Sequence, residues 1–310
     1  MKSDRKGPAP MGMRIGIDLG ATKIEGILMD ECGGVASRKR VSTPADYANT
    51  ILEIKKLASQ FDELAGDVVP VGLGTPGAWI ETQRSMKNCK STCLDGKPFL
   101  EDIKRVLGRP VRIQNDANCF ALSEAVDGAG AGAHCVFGAI LGTGVGGGWV
   151  VGGKLLTGPN GLSGEWGHNP FPNFRSDART TEQERLLSDR TCHCGQQNCL
   201  ECFVSGPGLE QTHEELTGEH ATGTEITSHG LSPTLNLYIS QLARSLAVMV
   251  NALDPDVIVL GGGVSNVKEL YAELPNRLQE YACNSDGRTK VLPALHSDSS
   301  GVRGAAWLFP

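Results

Sequence analysis

The fold of this chain is decided by the stretch Arg14-Ile-Gly-Ile-Asp-Leu-Gly-Ala-Thr-Lys-Ile-Glu-Gly-Ile-Leu-Met-Asp30. Apolar and polar residues alternate on both sides of a Gly-containing turn, which predicts a β-hairpin. A third strand is expected after Gly34, followed by a helix over residues 47–65, where apolar residues recur at helical spacing. Short apolar runs at 68–72 and 111–114 predict buried strands. Helices that alternate with strands in this way favour an α/β fold with a largely parallel sheet.

A second hairpin is predicted further along the chain. Val136–Leu141 and Trp149–Val151 flank a Gly-rich turn, as in the first hairpin. The likeness of the two hairpins suggests two duplicated halves. A long helix is expected over Leu235–Leu253, because apolar residues recur there at helical spacing and Pro255 follows. The next apolar run, Val257–Leu260, predicts a buried strand that ends in three glycines.

Composition narrows the class of protein. A chain of 310 residues, 40% of them hydrophobic, can bury a large core and form two domains. A net charge of −6 argues against nucleic acid as a partner, because phosphate neutralisation needs a basic face. No apolar run approaches the roughly 20 residues that span a bilayer, so we expect a soluble, cytoplasmic protein without a membrane partner.

Two Gly-containing turns are candidate phosphate sites. In the run Asp18-Leu-Gly-Ala-Thr22, backbone amides and the Thr22 hydroxyl can donate to phosphate, and Asp18 can hold Mg²⁺. The alternative is a turn with an Asx hydrogen bond. The run Gly142-Thr-Gly-Val-Gly146 offers a second concavity lined by amides. It matches neither the Walker pattern nor the Rossmann fingerprint.

Polar residues at a strand end form a second candidate site. The run Asn115-Asp-Ala-Asn118 lies where a buried strand gives way to a helix, so a helix cap is one interpretation. Ligands of open α/β sheets bind beyond strand carboxyl ends, where Asp116 could act as a general base. Glu165 and His168 could share a surface, and Glu201 stands close to Cys199.

The cysteine pattern predicts a metal site. Cys192, Cys194 and Cys199 lie in the run CHCGQQNCLE, and three thiolates that converge suit tetrahedral zinc. Three residues compete for the fourth position: Cys202, His193 and His168. The alternative is a disulfide cluster. We favour metal, because no hydrophobic signal segment precedes the cluster and ten scattered cysteines suit a reducing compartment.

Together these motifs resemble, in order along the chain, those of the ROK family of sugar kinases and repressors. The motifs that carry the resemblance are Asp18-x-Gly-x-Thr22, Asn115-Asp-Ala-Asn118, Gly142-Thr-Gly144, Gly164-Glu-x-Gly-His168 and Cys192-x-Cys-Gly195 through Cys199-x-Glu201. The resemblance covers about residues 13–308. Gly164–Pro170 and Ala125–Gly128 look most like bacterial manno/fructokinases. Asn115–Glu124 and Thr143–Gly148 are similar to bacterial N-acetylglucosamine kinases.

The resemblance implies an actin-like ATPase (ribonuclease H-like) fold with two α/β domains around a cleft. A basic stretch without periodicity, rich in Pro and Gly, predicts a disordered tail at residues 1–12. The N-terminal domain is expected over 13–118 and the C-terminal domain over 119–296. The second domain would contain a zinc-binding segment at 168–202. Residues 297–310 are expected to pack back on the first domain.

The resemblance also assigns a ligand to each motif. It implies that Mg²⁺ and ATP contact Asp18, Gly20, Ala21, Thr22, Lys23, Gly142, Thr143, Gly144, Gly146, Gly261, Gly262 and Gly263. It implies that a sugar contacts Gly77, Asn115, Asp116, Glu165, His168 and Glu201, with Asp116 as the general base. It assigns a structural Zn²⁺ to His168, Cys192, Cys194 and Cys199. We expect the nucleotide loops to lie outside this cysteine cluster.

The expected activity is that of an ATP-dependent hexose kinase acting on fructose or mannose, at the 6-hydroxyl. The first alternative is an N-acetylglucosamine kinase. The second, from another class, is a sugar-responsive ROK regulator without catalysis. Twelve residues before the first strand are too few for a helix-turn-helix, and Asp18 and Asp116 are both present, so we expect an enzyme. Family habit implies a homodimer.

Overall fold

The computed structural model describes residues 12–89, 93–172, 181–228, 230–283 and 286–309, so the predicted tail lies outside the described residues except for Gly12. The strands are β1 (Arg14–Leu19), β2 (Lys23–Met29), β3 (Val35–Ser42), β4 (Val71–Thr75), β5 (Ala78–Ile80), β6 (Ser85–Lys87), β7 (Val111–Asn115), β8 (Cys135–Leu141), β9 (Val145–Val151), β10 (Lys154–Leu155), β11 (Val257–Gly261) and β12 (Lys290–Pro293). The α-helices are α1 (Tyr47–Ala65), α2 (Phe99–Leu107), α3 (Asp116–Val126), α4 (Glu182–Leu186), α5 (Glu201–Val204), α6 (Gly206–Thr217), α7 (Gly223–Thr227), α8 (Pro233–Leu253), α9 (Lys268–Tyr281) and α10 (Ser300–Ala306). Short 3-10 helices cover Trp166–His168, Gly263–Asn266 and Ser297–Ser299.

Two five-stranded sheets share one topology. The first has the order β3-β2-β1-β4-β7 and the second the order β10-β9-β8-β11-β12. In each sheet the first three strands are antiparallel, and the remaining strands are parallel to the central one. The matching orders agree with the suggested duplication. The prediction of a largely parallel sheet is wrong, because each half begins with a hairpin whose strands must run in opposite directions.

Helix α1 follows the spacing of its apolar residues. Ile54, Leu57 and Phe61 are buried against the first sheet, so one stripe of the helix faces the core. The helix begins at the N-cap Asp46, whose side chain accepts from the Asn49 backbone. The helix predicted over 47–65 is confirmed, since α1 covers Tyr47–Ala65.

Helices α3 and α10 occupy the space between the two sheets. Helix α10 packs against β1, β4 and α3. The contact is so close that a Cβ at Gly304 would overlap the Cys119 carbonyl, and one at Gly72 would overlap that of Ala305. This packing sets the end of β1 beside the start of α3. The domain boundary at residue 118 stays a prediction.

A second, larger core surrounds α8. Tyr238 is fully buried and donates its hydroxyl to the Val204 carbonyl at 2.8 Å, which fastens α5 to α8. Stacked rings of Phe171 and Phe203 continue this core toward the cysteine segment. Among the described helices, none has the length and apolar character needed to span a membrane.

Candidate functional site

A cavity of about 280 Å³ lies where the two halves meet. It brings together Asp18 at the end of β1, Asp116 at the start of α3 and the glycines Gly261–Gly263 at the end of β11. The other residues that line it are Phe120, Ile140, Ser265, Asn266, Pro293, Ala294, Ser297, Asp298 and Gly301. One of the two candidate phosphate turns, through Asp18, thus shares a space with the predicted base and with three glycines predicted to contact ATP.

The carboxyl group of Asp18 is electrostatically unusual. Its pKa is raised to about 7, chiefly by burial and also by the nearby negative charges of Asp116 and Glu25, while Lys23 opposes the rise. A carboxyl group in such surroundings releases its proton readily when a cation is bound beside it. The donor set therefore fits Mg²⁺, which prefers carboxylate oxygens.

The strand-to-helix junction at Asn115 combines a helix cap with a contact to a neighbouring segment. The Asn115 side chain accepts from the Ala117 N–H at 2.8 Å, so the helix-cap interpretation is correct for this residue. Its amide group also donates to the Gly77 carbonyl at 3.3 Å, which brings together two predicted sugar residues. Asp116 occupies the first turn of α3, where the helix dipole favours a negative charge.

The first Gly-containing turn lies beside the cavity and stays open to solvent. The Gly20 N–H donates to the Lys23 carbonyl at 2.9 Å, and the Thr43 hydroxyl donates to the Gly20 carbonyl at 2.8 Å. Ala21, Thr22 and Lys23 are exposed. Of the predicted residues in this motif, Asp18 alone lines the cavity.

The second Gly-rich turn contacts the glycines after β11. A Cβ at Gly262 would overlap the Leu141 carbonyl, and Gly262 has a φ of +84°, so a side chain is excluded there. The Gly142 carbonyl accepts from the Gly206 N–H at 2.8 Å, and Thr143 is exposed. A Cβ at Gly146 would lie 3.4 Å from Ala117, next to the predicted base.

Four side chains converge at the predicted metal site. The Cys192 Sγ lies 3.5 Å from the His168 Nδ1, and the Cys194 and Cys199 Sγ atoms lie 3.6 Å apart. Tetrahedral zinc with bonds of about 2.3 Å to sulfur and about 2.1 Å to nitrogen needs ligand atoms about 3.6–3.8 Å apart. The residues present therefore fit the ion.

The three candidates for the fourth position lie in different surroundings. His168 groups with the three thiols, and also forms a second group with His193 and Glu201. Cys202 belongs to neither of these groups. The disulfide alternative fails, since Cys192, Cys194 and Cys199 are free thiols.

Backbone pairing explains why His168 meets the cysteines. The Leu200 N–H donates to the Asn169 carbonyl at 2.9 Å, and the Phe171 N–H donates to the Asn198 carbonyl at 2.8 Å. These bonds set the segment after His168 beside the cysteine turn. A hydrogen bond from the Gln196 backbone lowers the pKa of the Cys194 thiol, which favours the thiolate that binds metal.

The predicted sugar residues Glu165, His168 and Glu201 surround this cluster. The His168 Nε2 lies 3.8 Å from Glu165, while its Nδ1 faces Cys192. The Glu201 carboxylate contacts the His193 Nδ1 at 2.8 Å and accepts from the Val145 N–H at 2.8 Å. This last bond connects the second Gly-rich turn to Glu201, which lies beside the cluster. No residue of that turn belongs to the cluster itself, so the expectation that the nucleotide loops lie outside it stays a prediction.

Sequence reasoning missed the wall formed by residues 293–301. Ser297, with a φ of +47°, and Asp298 line the cavity from this segment. A non-glycine residue with positive φ often marks a functional site. The only signal in the sequence is a polar run, His296-Ser-Asp-Ser-Ser-Gly301, just before an apolar helix.

Comparison with known proteins identifies the family. The ROK family model matches residues 14–310. The chain belongs to the ROK family. It is 38% identical over 305 residues to the N-acetyl-D-glucosamine kinase of Haemophilus influenzae, with 96% of this chain and 99% of the relative covered. The N-acetyl-D-glucosamine kinase of Vibrio cholerae is 39% identical over 304 residues, with the same coverage.

Solved structures of this ROK protein's relatives have the same fold. The ROK hexokinase from Thermus thermophilus has a TM-score of 0.79 and 29% identity, covering 95% of this chain and 96% of that one. A ROK glucokinase from Streptomyces griseus, solved with glucose and AMPPNP, has a TM-score of 0.72 and 28% identity, covering 96% and 99%. The predicted actin-like ATPase fold is confirmed by these neighbours.

Proposed function

We propose that this protein is an N-acetylglucosamine kinase, which transfers the γ-phosphoryl group of Mg·ATP to a hydroxyl of the sugar. The observation that carries the proposal is the cavity shared by Asp18, Asp116 and the glycines Gly261–Gly263. A phosphoryl donor there would lie between two carboxylates and a loop without side chains. Polyphosphate next to carboxylates requires a cation, so the arrangement favours Mg·ATP over a neutral ligand.

The two carboxylates and the two glycine runs have proposed roles. Asp116 would accept the proton of the attacking sugar hydroxyl, which is the work of a general base. Asp18 would hold the Mg²⁺ of Mg·ATP, directly or through water, and this ion would offset the phosphate charge during transfer. The N–H groups of Thr143 and Gly144 would donate to phosphate oxygens, since those of Gly142 and Val145 already donate to the Gly144 carbonyl and to Glu201. Gly261–Gly263 would leave room for the adenosine.

The choice of sugar differs from our first expectation. The run Gly164–Pro170 favoured fructose or mannose, but the similar proteins that cover nearly the whole chain are named N-acetyl-D-glucosamine kinases. Discrimination between hexoses depends on the pocket around one substituent, which a run of seven residues does not define. The alternative therefore becomes the main proposal.

The sugar would lie between the cavity and the cysteine cluster. Asn115 and Gly77 would hold it on one side, and Glu165, His168 and Glu201 on the other. We propose that Zn²⁺ is bound by His168, Cys192, Cys194 and Cys199 and has a structural role, since four protein ligands leave no open position. The ion would fix the imidazole so that its Nε2 faces the sugar.

A non-catalytic regulator is the second candidate. A ROK family transcriptional regulator shares the fold with a TM-score of 0.75, but identity is 20% and this chain covers 78% of it. Both carboxylates that transfer would need share one cavity here, which favours the enzyme. Sugar and ATP are the proposed partners, and the homodimer stays a prediction.

Phosphoryl transfer is tested directly by ³¹P NMR. Purified protein, Mg·ATP and N-acetylglucosamine should give ADP together with a new phosphomonoester signal. The position of the phosphate follows from its coupling to the sugar protons. ADP without a sugar phosphate would reveal an ATPase, and no ADP at all would overturn the proposal.

A further inference from the structure

One buried carboxylate in α3 has no role in the proposed chemistry. Glu124 is 0% exposed, so its charge is costly unless hydrogen bonds replace the lost water. It accepts four hydrogen bonds, from the N–H groups of Ala129 (2.9 Å), Leu295 (3.0 Å) and His296 (3.1 Å) and from the Ser300 hydroxyl (2.7 Å). Three of these four donors belong to a single segment, residues 295–300, which is distant from Glu124 in sequence.

That segment forms one wall of the cavity. Ala294, Ser297, Asp298 and Gly301 line the cavity, and Glu124 holds the residues between them. The segment has no strand to fix it, since β12 ends at Pro293 and α10 begins at Ser300. Its position depends on the bonds it makes to other parts of the chain.

The same helix carries the proposed base. Asp116 lies in the first turn of α3, and Glu124 lies eight residues later, about 12 Å along the axis. An α-helix of this length behaves as one rigid body. A bond network at one end of α3 therefore sets the distance between Asp116 and the opposite wall.

A second contact supports the same arrangement. Asp127, which follows α3, pairs with Arg303 and lies 3.1 Å from the His296 Nε2. Arg303 belongs to α10, directly after the wall segment. Two carboxylates at the end of α3, Glu124 and Asp127, thus bind this segment, and Glu124 is the fully buried one.

We propose that Glu124 is a positioning residue for the nucleotide, which holds the wall at 293–301 at a fixed distance from Asp116. The inference rests on the proposed kinase function. It says that loss of the Glu124 charge should weaken Mg·ATP binding more than sugar binding. A residue that only stabilises the fold would not separate the two substrates.

Glu124→Gln is the primary variant, because glutamine keeps the shape but replaces one accepting oxygen by an NH₂ group. In either orientation this group meets the backbone N–H of His296 or of Leu295. We expect the KM for Mg·ATP to rise about tenfold, as for the loss of one hydrogen bond to a charged group. The KM for N-acetylglucosamine should change by less than about threefold.

Glu184→Gln is the matched control. Glu184 is 3% exposed and pairs with Arg244, and neither residue lines the cavity. This variant should lower the melting temperature without changing the ratio of the two KM values. Ser300→Ala is the milder test, because it removes one of the four donors to Glu124. We expect it to raise the KM for Mg·ATP about threefold.

The outcomes separate the inference from the function on which it rests. If Glu124→Gln folds but keeps the wild-type ratio of KM values, the inference is wrong and the kinase proposal stands. If it does not fold, an unchanged ratio in Ser300→Ala overturns the inference. If the wild-type protein neither binds Mg·ATP in calorimetry nor phosphorylates a sugar, the proposed function fails instead.

Discussion

The backbone N–H of Val145 donates a 2.8 Å hydrogen bond to the carboxylate of Glu201. Val145 belongs to the second Gly-rich turn, and Glu201 lies two residues after Cys199. The indole N–H of Trp166, two residues before His168, makes a second connection to this turn by donating to the Gly146 carbonyl at 2.8 Å. The cysteine cluster is therefore joined to the proposed phosphate loop as well as to the proposed sugar residues.

Loss of zinc should weaken the binding of both substrates. Cys194→Ser, or chelation followed by readdition of excess Mg²⁺, should release one zinc per chain and reduce the affinities for sugar and for Mg·ATP. The reason is that the proposed ion would fix the cysteine turn beside Glu201, whose carboxylate accepts from the Val145 N–H. Metal analysis and calorimetry measure the effects.

Cys32→Ser is the control for this variant, since Cys32 is an exposed free thiol in the turn between β2 and β3. It should retain zinc and both affinities. Freshly purified wild-type protein without zinc would contradict the zinc proposal. Zinc loss that leaves both affinities unchanged would contradict the link through Glu201.

Asp116→Asn should bind sugar and Mg·ATP but turn over slowly. The amide keeps the shape of the side chain and cannot accept the proton, so we expect kcat to fall by about 10²–10⁴. Asp102→Asn is the control, because Asp102 also lies in the first turn of a helix, outside the cavity. Near wild-type turnover in Asp116→Asn would show that Asp116 does not act as the general base.

The raised pKa of Asp18 predicts a pH dependence of stability. The folded protein binds this proton up to about pH 7, whereas the unfolded chain releases it near the ordinary value of 3.8. Between these values the folded state holds more protons, so stability without ligand must fall as pH rises. Urea unfolding at pH 5 and pH 8 should show this fall in the wild type and a smaller one in Asp18→Asn. If the free energy of unfolding falls equally from pH 5 to pH 8 in the two proteins, Asp18 is excluded as the cause.

The close packing of α10 can be tested with glycine substitutions. Gly304→Ala would press a Cβ into the Cys119 carbonyl and should destabilise the fold by about 1–3 kcal/mol. Gly158→Ala is the matched control, since a Cβ there meets nothing within 4 Å. Thermal unfolding compares the two, and equal melting temperatures would show that α10 adjusts at little cost.

Local patterns in the sequence predicted the elements well. Helix α1 and both hairpins follow from periodicity and turn chemistry, which neighbouring residues determine. The junction at Asn115 and Asp116 was also readable, because an apolar strand there meets residues that cap helices. The cysteine spacing likewise predicted three thiols that converge, because they lie in one short turn.

Contacts between distant segments could not be predicted in this way. His168 lies beside the three thiols because of backbone pairing between Phe171 and Asn198, which no short pattern encodes. The bond between Glu124 and Leu295 joins residues 171 positions apart. A buried glutamate inside a helix looks like any surface glutamate until its partners are known.

The most direct test of the kinase proposal is the kcat/KM of the purified protein with Mg·ATP across a panel of sugars. The panel contains N-acetylglucosamine, fructose, mannose and glucose, with water as the background and Asp116→Asn as the inactive control. We predict that N-acetylglucosamine gives the highest kcat/KM. A higher value for fructose or mannose would contradict the proposed substrate, and ADP release no greater than the water background for every sugar would contradict the kinase itself.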